Sequence, residues 1–374
     1  MNHLTDTGLA ILLTLCLLPS CGRSSGTARI ADDAAGCARP AVITGHISNR
    51  ERYPHTREVR LLIPFYGHTP ERQTSPIQED CFSFTLVPYA PRAISMPPFI
   101  DHLVVCPGDS IHIEMDFANL GYVEYSGRGA ENNVLYDAFD MECYRRFWPS
   151  FHDMKYKGIY GPQKKFKHAK AFATSARRHL DYHLTRLDTF AVNRGAGPDL
   201  TALCRREIET DYFAALAQGL AGYRRYGEDT SELFRIEDVE YLFDTGYIDS
   251  HLFALSSAVV AWLFSGKERE AAARLARNPS AAVRFLKRST RNDLLGQMLV
   301  TYYCTLLLQD KDLTHFEACR GYFDRKVTHP LLRRSVQDWY LSRKESSRYA
   351  KARSEDRHRS VATQGSSKGS VPSS

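Results

Sequence analysis

The pattern of hydrophobic and polar positions changes its period once along the chain, near residue 130. Before that point, short runs rich in Val, Ile, Phe and Tyr alternate with Pro, Gly, Asp and Asn, which is typical of short strands joined by turns. The runs that predict strands are AVITGHI, EVRLLIPFY, CFSFTLV, HLVVC, SIHIEM and YVEYSG. Their number and spacing predict a small antiparallel β-sandwich over residues 41–130.

From Glu131 onward the apolar residues recur at helical spacing, with Asn132 or Asn133 available as an N-cap. The ranges that predict further helices are Lys164–Val192, Asp199–Tyr223, Ile236–Thr245, Ser250–Phe264, Glu268–Arg277, Ala281–Arg288, Asp293–Leu308, Leu313–Phe323 and Pro330–Arg343. Helices of this length with short connections predict an α-helical bundle over 131–341. The predicted fold class is therefore α+β, with strands and helices segregated into two domains.

The longest apolar run, LAILLTLCLL over 9–18, has the length of a signal-peptide hydrophobic region and is too short to span a bilayer. It leads into the sequence LPSCG, which resembles a bacterial lipobox whose cysteine is Cys21. The resemblance implies cleavage before Cys21, diacylation of its thiol and acylation of the new amine. We therefore predict a signal peptide over 1–20, a lipidated Cys21 and a flexible tether over 21–40.

An ordinary secretory signal with an incidental Cys21 is the alternative for this segment. The first eight residues carry no Lys or Arg, they include Asp6, and Pro19 is unusual at its place in a lipobox. An ordinary secretory signal would only direct export, whereas the lipobox predicts that the mature chain stays in the bacterial cell envelope. The lipid anchor adds membrane attachment, facing the periplasm or the cell surface.

The formal net charge of +6 is concentrated at the C-terminal end. Residues 342–374 hold eight Lys and Arg against three Asp and Glu, which leaves the rest of the chain nearly neutral. A near-neutral body excludes a nucleic-acid-binding domain by composition, so no nucleic acid partner is predicted. The tail 342–374 has no apolar periodicity and is predicted to be disordered.

Seven cysteines remain once Cys16 leaves with the signal and Cys21 carries lipid, and they are scattered through the sequence. No C-x-x-C pair occurs, which excludes a thioredoxin redox centre and a zinc knuckle. Cys81 and Cys106 flank strand-like runs and are candidates for one structural disulfide. Cys304, inside LLGQMLVTYYCTLLL, is predicted to be a buried small hydrophobe.

Two short motifs follow the lipobox: Pro107–Ile111, which reads PGDSI, and Gly127–Asn133, which reads GRGAENN. In this order they resemble the N-terminal and middle regions of TlpA-like thiol–disulfide oxidoreductase lipoproteins. The resemblance implies a β-domain, then a helical segment, then a C-terminal thioredoxin domain. Here that last domain is replaced by SRKESSRYAKARSEDRHRS, so the resemblance carries over no redox activity. Either this is a family member reduced to its non-catalytic part, or the reading frame has lost its final domain.

His179 and His183 stand at i and i+4, a spacing that can hold a metal on one helix face. Leu180 occupies the place of the zincin glutamate, and Arg177 and Arg178 lie beside the pair, so a solvated basic face is the preferred interpretation. No P-loop, dinucleotide fingerprint or nucleophile elbow occurs. No metal, cofactor or catalytic residue is therefore predicted.

The most distinctive polar stretch is 155–172, KYKGIYGPQKKFKHAKAF, where lysines are interleaved with aromatic residues. Such a mixture suits stacking against sugar rings or holding an anionic polymer. The candidate ligand contacts are Lys155, Tyr156, Lys157, Tyr160, Lys164 and Lys165. The alternative, which is favoured, is an exposed loop that enters a helix, with Phe166 and Phe172 buried and the lysines in water.

The sequence thus favours a non-catalytic, envelope-anchored lipoprotein that acts as a scaffold or binding module. Its expected partners are the membrane, through the lipid, and an envelope protein or an anionic or glycan ligand. The competing hypothesis is a truncated or partner component of a thiol–disulfide oxidoreductase whose thioredoxin domain is missing from this chain.

Overall fold

The computed structural model describes residues 39–63, 71–88, 91–119, 122–139, 166–244, 248–265, 277–309 and 313–346. These described residues belong to one compact unit. In its described part the strands occupy the N-terminal portion and the α-helices the C-terminal portion. The fold is therefore mixed α+β, as the change of hydrophobic period predicted.

The elements follow one another in a simple order. The strands are β1 (Ala41–Ser48), β2 (Glu58–Ile63), β3 (Glu71–Pro76), β4 (Cys81–Leu86), β5 (Arg92–Met96), β6 (Ile100–Val105), β7 (Ser110–Asp116) and β8 (Val123–Arg128). The helices are α1 (Ala130–Phe139), α2 (Ala169–Arg194), α3 (Pro198–Arg225), α4 (Ser250–Leu263), α5 (Pro279–Arg288), α6 (Asp293–Gln309), α7 (Thr314–Lys326) and α8 (330–346).

The strands form two four-stranded sheets, with the orders β4-β1-β7-β8 and β3-β2-β5-β6. The prediction of a wholly antiparallel arrangement is wrong for one pair, because β1 runs parallel to β7 from Val42↔Ser110 to Ser48↔Asp116. Parallel neighbouring strands must be joined by a long crossover connection. Here the connection from β1 to β7 includes β2, β3, β5 and β6, which form the other sheet. Hydrophobic spacing alone carries no information on that crossing.

Both sheets contribute their apolar faces to one hydrophobic cluster. In β1 and β7 every second residue is buried, as expected for strands with one face in the core. The sequence did not predict two of the strands, for different reasons. β3 reads ERQTSP and has no apolar face, whereas β5 reads RAISM and offers only a short alternation.

A second hydrophobic cluster fills the space between the helices and also takes in Val104 and Cys106 from the end of β6. Asp249 caps α4 by accepting a hydrogen bond from Leu252 N at 2.7 Å. The predicted helices 199–223, 250–264 and 293–308 match α3, α4 and α6 closely. Each of these helices has buried side chains near both of its ends, so its boundaries follow the apolar pattern of the sequence.

Two predictions for the helical region need correction, and a third predicted helix lies mostly outside the described residues. The range predicted as helix over Ile236–Thr245 instead holds two short 3-10 turns, Ile236–Asp238 and Glu240–Phe243. α8 continues to residue 346, past 342 where the disordered tail was predicted to start. Most of the predicted helix Glu268–Arg277 lies outside the described residues, as does the tail beyond 346.

Among the described residues, no helix combines the length and apolarity that crossing a bilayer demands.

Candidate functional site

The two motifs that carry the family resemblance meet where the last strands pass into α1. Asp109, from PGDSI, accepts a hydrogen bond from Cys106 N through Oδ2 at 2.7 Å and so closes the turn between β6 and β7. Gly129, from GRGAENN, has a φ of +92° and packs against that carboxylate. A Cβ at position 129 would lie 2.4 Å from Asp109 Cγ, so only glycine fits there.

Asn133 ties α1 to β6 through its side-chain amide. Its Oδ1 accepts from Val104 N at 2.7 Å, and its Nδ2 donates to Val104 O at 2.9 Å and to Gly129 O at 3.2 Å. The side chain therefore extends the strand's hydrogen bonding in the way that another strand would. The predicted role of Asn132 or Asn133 as an N-cap is wrong, since α1 already begins at Ala130.

Tyr136, one turn further along α1, connects to the helical core. Its hydroxyl donates a hydrogen bond to Glu207 Oε2 of α3 at 2.9 Å. Glu207 is only 6% exposed, and burial raises the pKa of its carboxyl to about 7 against the opposing influence of His251 and Tyr136. We call Asp109, Gly129, Asn133, Tyr136 and Glu207 the joint, because they connect the strands to the helices.

A second set of charged groups surrounds Glu207 on α3 and α4. His251 Nδ1 hydrogen-bonds Asp211 Oδ1 at 2.9 Å, and Arg206 Nη2 lies 3.7 Å from Asp249 Oδ2. Burial disfavours the imidazolium, but the charge of Asp211 and its hydrogen bond prevail and raise the pKa of His251 to about 10. A carboxyl that titrates near neutrality has the proton affinity of a general acid or base. The burial of Glu207 and its hydrogen bond to Tyr136 favour a structural role for this carboxyl instead.

An open groove lies at the rim of the strand region, and we call it the rim groove. It encloses about 510 Å³. Its lining residues are Tyr53, His55, Thr56, Arg57, Glu58, Val59, Arg60, Pro97, Pro98 and Phe99.

One wall of the rim groove is a fixed aromatic surface. Phe99 stacks on Phe117 with ring centroids 4.8 Å apart, and Tyr53 meets the same Phe117 edge-on at 5.5 Å. Tyr53 nevertheless keeps 45% of its surface exposed. Packing against Phe117 therefore fixes the Tyr53 ring and leaves part of it exposed to solvent.

The basic side chains of the rim groove differ in their partners. Arg60 Nε is paired with Glu58 Oε1 at 2.8 Å. Arg57 and His55 are exposed, and within the described part of the chain neither side chain has an ion-pair or hydrogen-bond partner. Arg57 is therefore a charged donor that is available to a ligand.

A second shallow depression of about 650 Å³ lies at the start of α2, lined by Phe166, His168, Lys170, Ala171, Thr174, Ser175 and Arg178. Four of these lining residues, Phe166, His168, Lys170 and Ala171, belong to the lysine-rich stretch 155–172 that the sequence singled out. Phe172 is buried, and Tyr223 donates a hydrogen bond to Phe166 O at 2.8 Å. The interpretation of Phe172 as a core residue is thus confirmed, and Phe166 is half-buried beside it.

The sequence-predicted site residues themselves lie outside the described residues. These are Cys21, Lys155, Tyr156, Lys157, Tyr160, Lys164 and Lys165.

The histidine pair on α2 differs from the solvated face that the sequence favoured. His183 is buried and packs edge-on against the ring of Tyr182, whereas Arg177 forms an exposed ion pair with Asp181 at 3.0 Å. Within the described ranges, no group of three or more His, Cys, Asp or Glu residues is arranged to hold a metal ion.

The cysteines in the described ranges are Cys81, Cys106, Cys204, Cys304 and Cys319, and all are free thiols. The suggested disulfide between Cys81 and Cys106 is wrong: Cys81 is exposed, whereas Cys106 is buried and accepts a contact of 3.7 Å from Asn132 Nδ2. Cys304 and Cys319 are both buried, and they lie on α6 and α7, two helices that contact each other.

Sequence reasoning missed the rim groove, although a signal for it exists. The segment 50–57 reads RERYPHTR, which places one tyrosine and one histidine among three arginines between β1 and β2. It has the same mixture of aromatic and cationic residues as the 155–172 stretch. Because it is short and holds Pro54, its composition is also that of an ordinary connecting turn.

Comparison with known proteins gave no match of any kind: no protein-family model, no curated protein and no solved structure corresponds to this chain.

Proposed function

We propose that this chain is a non-catalytic lipoprotein of the bacterial cell envelope, anchored through Cys21, that binds an acidic polysaccharide in the rim groove. The observation that carries the proposal is that one groove is lined both by the exposed Tyr53 ring, which is backed by Phe117, and by the Arg57 guanidinium, which has no partner among the described residues.

The chemistry of the rim groove suits uronic acid residues. A sugar ring presents an apolar C–H face that stacks on an aromatic side chain, and Tyr53 offers such a face already fixed by Phe117. The sugar carboxylate in turn pairs with a guanidinium, whose planar fork matches two carboxylate oxygens. A volume of about 510 Å³ also lies in the usual range of small-ligand sites.

The joint supports a non-catalytic reading. The carboxyl with the most elevated pKa, Glu207, is enclosed and hydrogen-bonded, and the motif residues Asp109, Gly129 and Asn133 are engaged in holding backbone groups. A joint of this kind keeps strands and helices in a fixed arrangement, which is the property required of a scaffold. The resemblance to the non-thioredoxin regions of TlpA-like lipoproteins supports the same role.

The proposal is tested by affinity electrophoresis of the purified protein through gels containing polygalacturonate, with dextran gels as the neutral reference. We expect the protein to be retarded by polygalacturonate and not by dextran. Tyr53→Ala and Arg57→Gln should each weaken the apparent affinity by about tenfold or more, since each removes one stacking or charge-assisted contact. Circular dichroism of each variant confirms that the fold is retained.

Two matched variants control for charge and aromatic content. Arg284→Gln removes another exposed arginine, on α5, and Tyr226→Ala removes an exposed tyrosine at the end of α3. Both should bind like the wild type. Equal retardation of all five proteins, or none in any of them, contradicts the proposed site.

A further inference from the structure

The solvent face of the sheet β4-β1-β7-β8 carries a row of side chains that the proposed function does not use. The strand register pairs His46 of β1 with Cys81 of β4 on one side and with Glu114 of β7 on the other. Buried residues alternate with these three along each strand, so all three side chains project from the solvent face. Cys81 is an exposed free thiol.

A chain of hydrogen bonds fixes the ring of His46 from the β7 side. His46 Nδ1 lies 2.9 Å from Glu114 Oε2, and the other oxygen of this carboxylate, Oε1, lies 3.0 Å from His112 Nε2. Thr44 Oγ1 lies 2.9 Å from Nδ1 of the His112 ring. The four side chains therefore support one another across β1 and β7.

This arrangement leaves the second nitrogen of His46 available to a ligand. The hydrogen bond from His112, and after it that from His46, lowers the pKa of Glu114, so the carboxylate is ionised at neutral pH and accepts both bonds. A neutral imidazole that donates from Nδ1 has its lone pair on Nε2. Among the described residues Nε2 of His46 has no hydrogen-bond partner, and it lies on the ring edge opposite the one that faces β7.

The backbone holds Cys81 beside His46 on the β4 side. Ile47 N donates to Asp80 O at 2.9 Å. In an antiparallel ladder the next pair, here His46 and Cys81, is then of the non-hydrogen-bonded kind, in which the Cα atoms lie about 4.5 Å apart and the side chains are closest. Hydrogen bonds of 2.8 and 2.9 Å with the backbone of Gln78 fix Cys81 further.

We propose that Cys81 and His46 bind a Cu(I) ion through Sγ and Nε2, with Glu114 as the residue that positions the imidazole. Thiolate selects soft ions such as Cu(I), and imidazole binds copper well. Cu(I) accepts two ligands, which suits this sheet face, because within the described ranges no set of three His, Cys, Asp or Glu is arranged to hold a metal ion. A ligating histidine commonly donates its other N–H to a carboxylate, as His46 does to Glu114.

Binding exchanges one proton for the ion. The Cys81 thiol releases its proton to the solvent as Sγ bonds to the metal, and the copper remains Cu(I), so no electron is transferred. His46 keeps its Nδ1 proton and its hydrogen bond to Glu114. This site is independent of the ligand assigned to the rim groove, and it assigns no turnover to the chain.

Alkylation of Cys81 measures the occupancy of this site. The purified chain is kept anaerobic with a chelator that sets the concentration of free Cu(I), treated with iodoacetamide for timed intervals and digested for mass spectrometry. The readout is resolved by peptide, because the chain has nine cysteines and other thiols also bind Cu(I). We expect saturating Cu(I) to slow alkylation of the Cys81 peptide at least tenfold, because a metal-bound sulfur is withdrawn from the reaction.

Three variants separate the ligands from their surroundings. His46→Gln and Glu114→Gln should each raise the free Cu(I) needed for half-protection about tenfold or more, since one removes a ligand and the other removes the carboxylate that orients it. His168→Gln removes an exposed histidine just before α2 and should behave like the wild type. Circular dichroism without copper confirms that each variant keeps its fold.

An unchanged alkylation rate of Cys81, at a Cu(I) concentration that protects another cysteine of the chain, would overturn the proposal. So would equal half-protection in His46→Gln and the wild type, because the thiol would then bind copper without the imidazole. Protection of Cys81 by Zn²⁺ at a lower free concentration than Cu(I) would overturn the assignment of the ion.

Discussion

At the scale of single residues, Glu207 shows how a carboxyl is kept inside this molecule. A buried ionised carboxylate is costly, so the group keeps its proton to a higher pH, and its pKa rises from an ordinary 4.5 to about 7. The hydroxyl of Tyr136 supplies one hydrogen bond, and the nearby His251 offsets part of the cost of the charged form. The residue is thus neutral or charged according to the pH of its surroundings.

This shift predicts a pH-dependent contribution to stability. Because the pKa is raised on folding, the stabilisation is fully present below about pH 4.5 and is lost as the pH rises through 7. Glu207→Gln removes this titration while leaving an oxygen that accepts from Tyr136. Between pH 5 and pH 8 the wild type should lose about 2 kcal/mol of unfolding free energy that the variant does not lose. Urea denaturation at several pH values measures the difference.

A second Tyr–Glu pair provides the control for that prediction. Tyr340 donates to Glu317 Oε1 at 2.9 Å, but Glu317 lies at the surface. Glu317→Gln should therefore leave the pH dependence of the wild type intact. Parallel pH curves for the wild type and Glu207→Gln would show that Glu207 does not titrate as described.

At the scale of elements, the passage from β8 into α1 is fixed by a close approach of backbone and side chain. Gly129 packs against the Asp109 carboxylate. Four residues after Gly129, Asn133 hydrogen-bonds both the N–H and the carbonyl of Val104. Turn composition alone suggests a loose connection at this point. In the structure, Asp109 and Asn133 each hydrogen-bond a backbone group, and Gly129 leaves room for the Asp109 side chain.

Gly129→Ala should therefore destabilise the protein strongly. The new methyl group meets Asp109 at 2.4 Å in a backbone conformation with φ of +92° that alanine disfavours. We expect a loss of about 2–3 kcal/mol in unfolding free energy, measured by urea denaturation. Displacing Asp109 would also leave Cys106 N without its acceptor.

Gly195→Ala separates conformational strain from collision in that experiment. Gly195 ends α2 with a φ of +69°, and a Cβ there would meet nothing within 4 Å. Its replacement should cost only about 1 kcal/mol, the usual penalty for alanine in the left-handed region. Equal losses at the two positions would mean that the contact with Asp109 contributes nothing.

At the scale of the whole molecule, the sequence predicted what hydrophobic period controls and missed what depends on long-range contacts. The ranges of α3, α4 and α6 followed from apolar spacing, since each helix buries residues along its length. The parallel β1–β7 pair could not be predicted, because residues 42 and 110 are joined only through the tertiary fold. The rim groove was missed for the same reason: Tyr53 and Phe99 come together only once both turns are in place.

The proposed anchor is also a property of the whole molecule. If Cys21 carries lipid, the wild-type protein expressed in a Gram-negative host should incorporate labelled fatty acid and partition into detergent, because each buried methylene adds about 0.8 kcal/mol of membrane affinity. Cys21→Ala should do neither. Cys81→Ser removes a different thiol and should behave like the wild type. Unchanged fatty-acid labelling of Cys21→Ala would contradict lipidation at this residue.

The position of β1 in its sheet has a consequence for how the chain folds. Its two neighbours, β4 and β7, arrive only after residues 81 and 110, so the sheet cannot be completed until most of the N-terminal third of the chain is available. α2 and α3, in contrast, are consecutive and pack on each other over a short connection. Contacts between distant residues form slowly, whereas local helix pairs form fast. The helical hairpin should therefore acquire protection from hydrogen exchange before β1 does, although β1 is synthesised first.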